Sequence, residues 1–153
     1  MRIHLLQREQ RVDRPREEVF EFFADAHNLE ALTPPLLGFE VLTPRPIEMS
    51  AGARIRYRLR VHGIPLRWVT EIREWAPPER FVDIQLRGPY GVWEHTHEFE
   101  ALPDGSTMIR DTVRYRPAVW PLGELALPLV RRDLRTIFDF RRDTVARLLG
   151  RPD

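Results

Sequence analysis

The chain predicts an α+β fold in which a curved antiparallel sheet of about seven strands wraps around one long C-terminal helix. Three observations carry this expectation. From Gly38 to Arg116 hydrophobicity alternates with a period of two, in segments punctuated by Pro or Gly. Residues 128–149 return to helical spacing with a single apolar stripe. Two short helical segments follow the first strand. A sheet with one apolar face and a lone amphipathic helix bury each other when the sheet curls around the helix. Any volume the helix leaves unfilled becomes an apolar cavity, a natural ligand site.

The elements follow in order. Residues 2–12 read as an extended strand. Pro15 suits the first position of a helix over PREEVFEFFADA, whose early acids complement the helix dipole and whose stripe is Val19, Phe22 and Phe23. HNLEALTPP reads as a second short helix, stopped by Pro34 and Pro35. Strands are expected over 39–43, 53–62, 66–75, 80–87, 92–101 and 107–116. In 53–61, Ile55, Tyr57 and Leu59 alternate with Arg54, Arg56, Arg58 and Arg60, so one face is buried and the other is wet, with Glu94, Glu98 and Glu100 as salt-bridge partners. Pro128 and Gly150 bracket the last helix. Its stripe is Val130, Leu134, Ile137, Phe138, Val145 and Leu148, with Arg141 inside it.

Size and composition bound the function. A chain of 153 residues, 42% hydrophobic, suits one domain over 1–153 with one core. Its 24 basic and 23 acidic side chains leave a net charge of +1, which argues against a nucleic-acid partner held by charge. No apolar run approaches the ~18 residues of a membrane span. The opening MRIHLLQREQ is charged too early for a signal peptide, so the expected compartment is the cytoplasm. Without Cys there is no disulfide and no thiol nucleophile; without Lys there is no Schiff base. No G-x-S-x-G elbow suggests a serine hydrolase.

The informative segment is GPYGVWEHTHEFEALPDGSTMIRDTVRY. Trp93, His95, His97 and Phe99 share one face, as do Ile109, Asp111, Val113 and Tyr115, and the apolar members identify both as inward. Pro103-Asp104-Gly105 suits a three-residue hairpin loop, which sets His97 opposite Asp111 and Trp93 opposite Tyr115. A carboxylate beside an imidazole fixes its tautomer and raises its pKa. In 80–87 either set can face inward. A four-residue GPYG loop puts Arg87 opposite Val92 and turns Val82, Ile84 and Leu86 toward the core. An odd loop or a bulge instead puts Asp83 opposite His97 and Gln85 opposite His95. Arg141 needs a carboxylate if it is buried, Asp83 first and Asp111 second, or else it snorkels to solvent.

The run F-x-D-x-Q-x-x-G-P-Y-x-x-W-x-H-x-H-x-F, from Phe81 to Phe99, resembles a bacterial branch of the START/birch-pollen-allergen-like superfamily, the SRPBCC ligand-binding proteins of the polyketide cyclase/dehydrase-like kind. The D-x-V-x-Y-x-P of Asp111, Val113, Tyr115 and Pro117, with Leu122-Gly123 and the I-F-x-x-R of Ile137, Phe138 and Arg141, resembles the same branch. The resemblance implies the helix-grip fold, an internal cavity, and an inward-facing Asp83 and Gln85. The candidate ligand-binding residues are then Tyr57, Trp68, Asp83, Gln85, Trp93, His95, His97, Phe99, Asp111, Tyr115, Phe138 and Arg141. The expected function is binding of a small hydrophobic or amphipathic molecule, as a carrier or sensor. The alternative is a cyclase/dehydrase-like enzyme with His97 as general base, Asp111 orienting it, and Tyr115 donating to an enolate. His-x-His with Asp111 offers three possible zinc ligands, but no motif of the resembled branch requires a metal, so neither metal nor cofactor is expected. The partner is a small hydrophobic ligand, with neither nucleic acid nor membrane insertion, and the chain is expected as a monomer or homodimer.

Overall fold

The computed structural model describes residues 2–118 and 122–150. Seven strands form one antiparallel sheet: β1 (His4–Val12), β2 (Glu40–Val41), β3 (Arg54–Val61), β4 (Ile64–Ala76), β5 (Arg80–Arg87), β6 (Tyr90–Ala101) and β7 (Thr107–Pro117), in the spatial order β1-β7-β6-β5-β4-β3-β2. Between β1 and β2 come α1 (Arg16–Ala24) and a short helical turn that runs into α2 (Leu29–Leu32). After β7 come α3 (Leu122–Leu125) and α4 (Leu127–Leu149), the long helix the sheet curls around.

Hairpin pairing carries β4 back to Ile64, two residues before its sequence range. Val61 pairs with Ile64 across His62-Gly63, both at positive φ (51° and 79°), so the ladder runs to the turn. In the opposite sense, β2 shrinks to two residues. Leu42 N still donates to Arg56 O (2.8 Å) and Arg56 N to Thr43 Oγ1 (2.8 Å), but Pro44 and Pro46 have no N–H to continue the ladder. The β6–β7 loop closes as its sequence implies, with Leu102 N bonded to Ser106 O (2.9 Å) and Gly105 at φ 88°.

Alternation in β3 is as expected: Ile55, Tyr57 and Leu59 are buried and the four arginines are exposed. Their ion partners differ from those expected, because strand order decides who is near. Arg54 pairs with Glu71 on β4 and Arg58 with Glu40 on β2. Glu94 instead meets Arg73 and Arg114, and Glu100 meets Arg110.

The helices correct the expected stripes by about one position. α1 starts at Arg16 with Pro15 as its N-cap, and it buries Val19, Phe20 and Phe23 while Phe22 is only partly covered. Phe20 is the hub of an aromatic layer, its ring centroid 5.2 Å from Trp75, 5.8 Å from Phe81 and 5.3 Å from Phe99. On α4 the buried residues are Leu134, Phe138, Thr144 and Val145; Leu148 is 45% exposed, because steps of four carry the stripe from Val145 to Leu149.

β1 clasps α3 and α4 with polar side chains on its inward face. His4 Nε2 lies 2.9 and 3.0 Å from the two Glu124 carboxylate oxygens, Arg8 Nη1 donates to Asp139 (2.6 Å), and Gln10 Nε2 donates to Arg142 O (2.8 Å). Just past the strand, Arg14 Nε donates to Leu149 O (3.0 Å) and caps the last turn of α4. Phe20→Ala should lower unfolding free energy by about 3–5 kcal/mol in urea titration, because it empties the centre of the aromatic layer. Arg56→Ala, on the wet face, should stay within about 0.5 kcal/mol of the parent.

Candidate functional site: an aromatic cavity with a buried His–Asp–Arg cluster

Between α4 and the concave face of the sheet lies a cavity of about 170 Å³. Its walls are mostly aromatic and aliphatic, with Phe23, Phe39, Tyr57, Trp68, Phe81, Trp93 and Phe138 among the rings. Its polar lining is Thr33, Thr70, Asp83, His95, His97 and Arg141, together with the tyrosine hydroxyls. Leu37, Leu59, Trp68, Tyr90 and Ile137 also line a wider vestibule of about 520 Å³ that opens between the β3–β4 turn, the Pro34–Leu37 segment and α4. Across that vestibule His62 Nε2 meets Asp133 Oδ2 at 2.9 Å. Cavity and vestibule together reach the size of ordinary small-molecule sites.

The β6–β7 register places His97 opposite Asp111 and Trp93 opposite Tyr115, as the hairpin loop implies. The β5–β6 register follows neither sequence alternative. Asp83 does face inward, but it pairs with His95, and Phe81 pairs with His97. The ladder stops at Ile84–Glu94 because Gln85 leaves it. Gln85 Nε2 donates to Tyr90 O (2.8 Å) and its Oε1 accepts from Tyr90 N (3.0 Å). Gly88 makes room for this clamp, since a Cβ there would lie 2.6 Å from Gln85 Oε1. The Q-x-x-G-P-Y part of the motif thus builds a turn that delivers the Tyr90 ring to the cavity mouth.

The hydrogen bonds run diagonally rather than straight across. His97 Nε2 lies 2.6 Å from Asp83 Oδ2, and His95 Nε2 lies 2.8 Å from Asp111 Oδ1; the expected partner Asp111 is 3.5 Å from His97 Nδ1. Stacking explains the diagonal. The His97 ring lies flat against Phe81 (4.1 Å, 14°) on one side and His95 (3.7 Å, 22°) on the other, so its nitrogens can reach only in the ring plane. Arg141 reaches into the same cluster and is partly buried there, Nη2 3.6 Å from Asp111 Oδ1 and 3.5 Å from His97 Nδ1, with its guanidinium 5.1 Å from the centre of the Phe23 ring. Asp111, ranked second from the sequence, is therefore its ion partner, and Asp83 is not.

Burial, reinforced by the neighbouring His95, pushes the His97 imidazole down to about 4 against the opposing pull of Asp83 and Asp111. Neutral His97 donates from Nε2 to Asp83 and leaves Nδ1 facing the Arg141 guanidinium. Burial alone would raise Asp83, yet the His97 hydrogen bond and the surrounding positive charge hold its carboxyl below the ordinary range. At Asp111 burial is likewise outweighed, there chiefly by Arg141 and then by the His95 hydrogen bond. Burial, with Asp83 nearby, pushes the Tyr57 phenol up, so it stays protonated.

Of the sequence candidates, Tyr57, Trp68, Asp83, Trp93, His95, His97, Phe138 and Arg141 line the cavity. Gln85, Phe99, Asp111 and Tyr115 do not: Gln85 clamps the turn, Phe99 joins the Phe20 layer, Asp111 stands behind the histidines, and Tyr115 packs with Val113, Leu134 and Phe138. Tyr90, Phe81 and Thr70 were missed as lining residues, although Phe81 and Tyr90 belong to the motif itself. Among the described residues, Asp83, His95 and His97 bring one ligand atom each within 4.8 Å and are the set that could hold a metal, though each imidazole Nε2 already meets a carboxylate.

Residues 12–141 match the family model described as polyketide cyclase / dehydrase and lipid transport. The chain belongs to this family. No curated protein matches it in sequence. Among solved structures it is similar to the Zhui aromatase/cyclase from Streptomyces sp. R1128 (TM-score 0.75, 16% identity, covering 94% of this chain and 92% of that one). It is also similar to a START superfamily protein from Mycobacterium smegmatis (TM-score 0.70, 14% identity, 95% and 99% covered). A third likeness is to a protein of Thermus thermophilus (TM-score 0.67, 23% identity, 93% and 97% covered). These likenesses establish the helix-grip fold.

The cluster makes stability pH-dependent with a definite sign. Between the ordinary histidine value near 6.5 and about 4, the unfolded chain takes up a proton that folded His97 refuses, so stability falls as pH falls through this window. The lowered Asp83 and Asp111 carboxyls extend the loss below their ordinary value of 3.8. Urea unfolding from pH 7 to 4 should show this decline, and His97→Gln should flatten it. Arg141→Met should cost about 3–5 kcal/mol by the same measurement, because Asp111 loses its counter-charge, and Arg141→Met with Asp111→Leu should recover part of the loss.

Proposed function

We propose that this chain binds a small hydrophobic or amphipathic molecule in the cavity between sheet and α4, as a carrier or sensor. One observation carries the reading: the polar groups that matter gather at one end of an otherwise aromatic cavity that opens through an apolar vestibule. Apolar walls supply affinity, and a few convergent polar groups set orientation. Membership of a family described by cyclisation and lipid transport agrees with it.

A second reading, a cyclase/dehydrase-like enzyme, is favoured by the Asp83–His97 pair at the cavity wall. In that reading the pair moves the proton, and Asp111 and Tyr115 do not act on the substrate, since neither lines the cavity.

Leu37 and Ile137 stand between cavity and vestibule, so Leu37→Trp and Ile137→Trp narrow the entrance from opposite sides. Titration with Nile red, followed by its fluorescence, should show at least tenfold weaker binding to each variant, with the urea midpoint unchanged. Equal affinity in parent and variants would overturn the cavity as the binding site.

A further inference from the structure

We propose that the cavity takes ligands whose buried end donates a hydrogen bond, an O–H or N–H group, and that the acceptor is the free carboxylate oxygen of Asp83. This deepens the binding reading above and rests on it.

At the polar end the imidazole Nε2 atoms are already committed. His97 Nε2 is spent on Asp83 Oδ2, and His95 Nε2 on Asp111 Oδ1. Asp83 lines the cavity, and among the described residues its Oδ1 accepts no hydrogen bond. A carboxylate oxygen that faces an apolar cavity without a donor is costly, and a ligand donor removes the cost.

Charge points the same way. Asp83 and Asp111 are two carboxylates, and Arg141 is the one permanent positive charge among them. That charge already lies 3.6 Å from Asp111 and is flanked by the Phe23 and Phe138 rings. A carboxylate or phosphate head reaching this end would lie against the Asp83 carboxylate, while the Arg141 charge is already answered by Asp111. A hydroxyl or amine head meets an acceptor. The neighbouring aromatic rings suit a flat apolar body behind that head.

Three probes of one size separate the possibilities: 2-naphthol, its methyl ether 2-methoxynaphthalene, and 2-naphthoate. Binding is read by calorimetry and by quenching of Trp68 and Trp93 fluorescence. The expected result on the parent protein is naphthol at least tenfold tighter than the ether, with naphthoate weakest. In Asp83→Asn the side-chain oxygen can still accept from His97, which turns the amide NH2 toward the cavity, and the naphthol advantage should fall below threefold. Naphthoate binding tightest, or all three binding equally, overturns the donor assignment while leaving the cavity reading intact. Binding of none of them overturns both. Should Asp83→Asn fail to fold, the ranking on the parent protein decides alone.

Discussion

Under α4, three strands and the helix meet through charge: Asp83 from β5, His95 and His97 from β6, Asp111 from β7 and Arg141 from the helix. Each of these groups is too expensive to bury alone, and each is tolerated because a neighbour answers it. Arg141 needs Asp111, Asp111 holds His95, and Asp83 holds His97. The arrangement ties the helix to the middle of the sheet in one rotation, since turning α4 by a residue would withdraw the guanidinium and leave Asp111 uncompensated. It also fixes the depth of the cavity, whose polar end is the exposed side of the same cluster.

The cavity stays open because α4 is held unevenly. Along β1 the helical segment is fastened at both ends, by Glu124 to His4 and by Leu149 O to Arg14, and in between through Asp139 and the Arg142 carbonyl. On the far side the contact from the β3–β4 turn is the exposed His62–Asp133 pair. The helix therefore lies close to β1 and stands away from β3 and β4, and the space left is the vestibule and cavity. Two separate apolar clusters mark the division: one gathers α1, the aromatic layer and Val145, the other packs Leu134 and Phe138 against Val113 and Tyr115.

Two histidines two residues apart on one strand face invite the reading that each bonds the acid directly opposite. Aromatic stacking overrides it. Phe81, His97 and His95 form a pile of rings across β5 and β6, and a ring whose face is occupied can use only its edge. The consequence is chemical, because the cavity then meets the Asp83 carboxylate as well as the two imidazoles, while Asp111 stands behind them.

Alternation on β3, β6 and β7, the helical return after Pro128 and the loop chemistry of Pro103-Asp104-Gly105 are local properties, and they suffice for the sheet, the long helix, the inward face and the register that sets His97 opposite Asp111. The resemblance carried by residues 81–99 turned Asp83 inward, which alternation left open. Tertiary structure decided what no local pattern encodes. The β5–β6 register depends on Gln85 leaving the ladder to hold Tyr90, with Gly88 making the space. The partner of Arg141 depends on how deep the helix sits, and the clasp of His4 on Glu124 spans 120 residues. Period and turn chemistry act over a few residues, whereas diagonal hydrogen bonds, ring stacking and ion pairs between distant segments exist only once the helix is seated on the sheet.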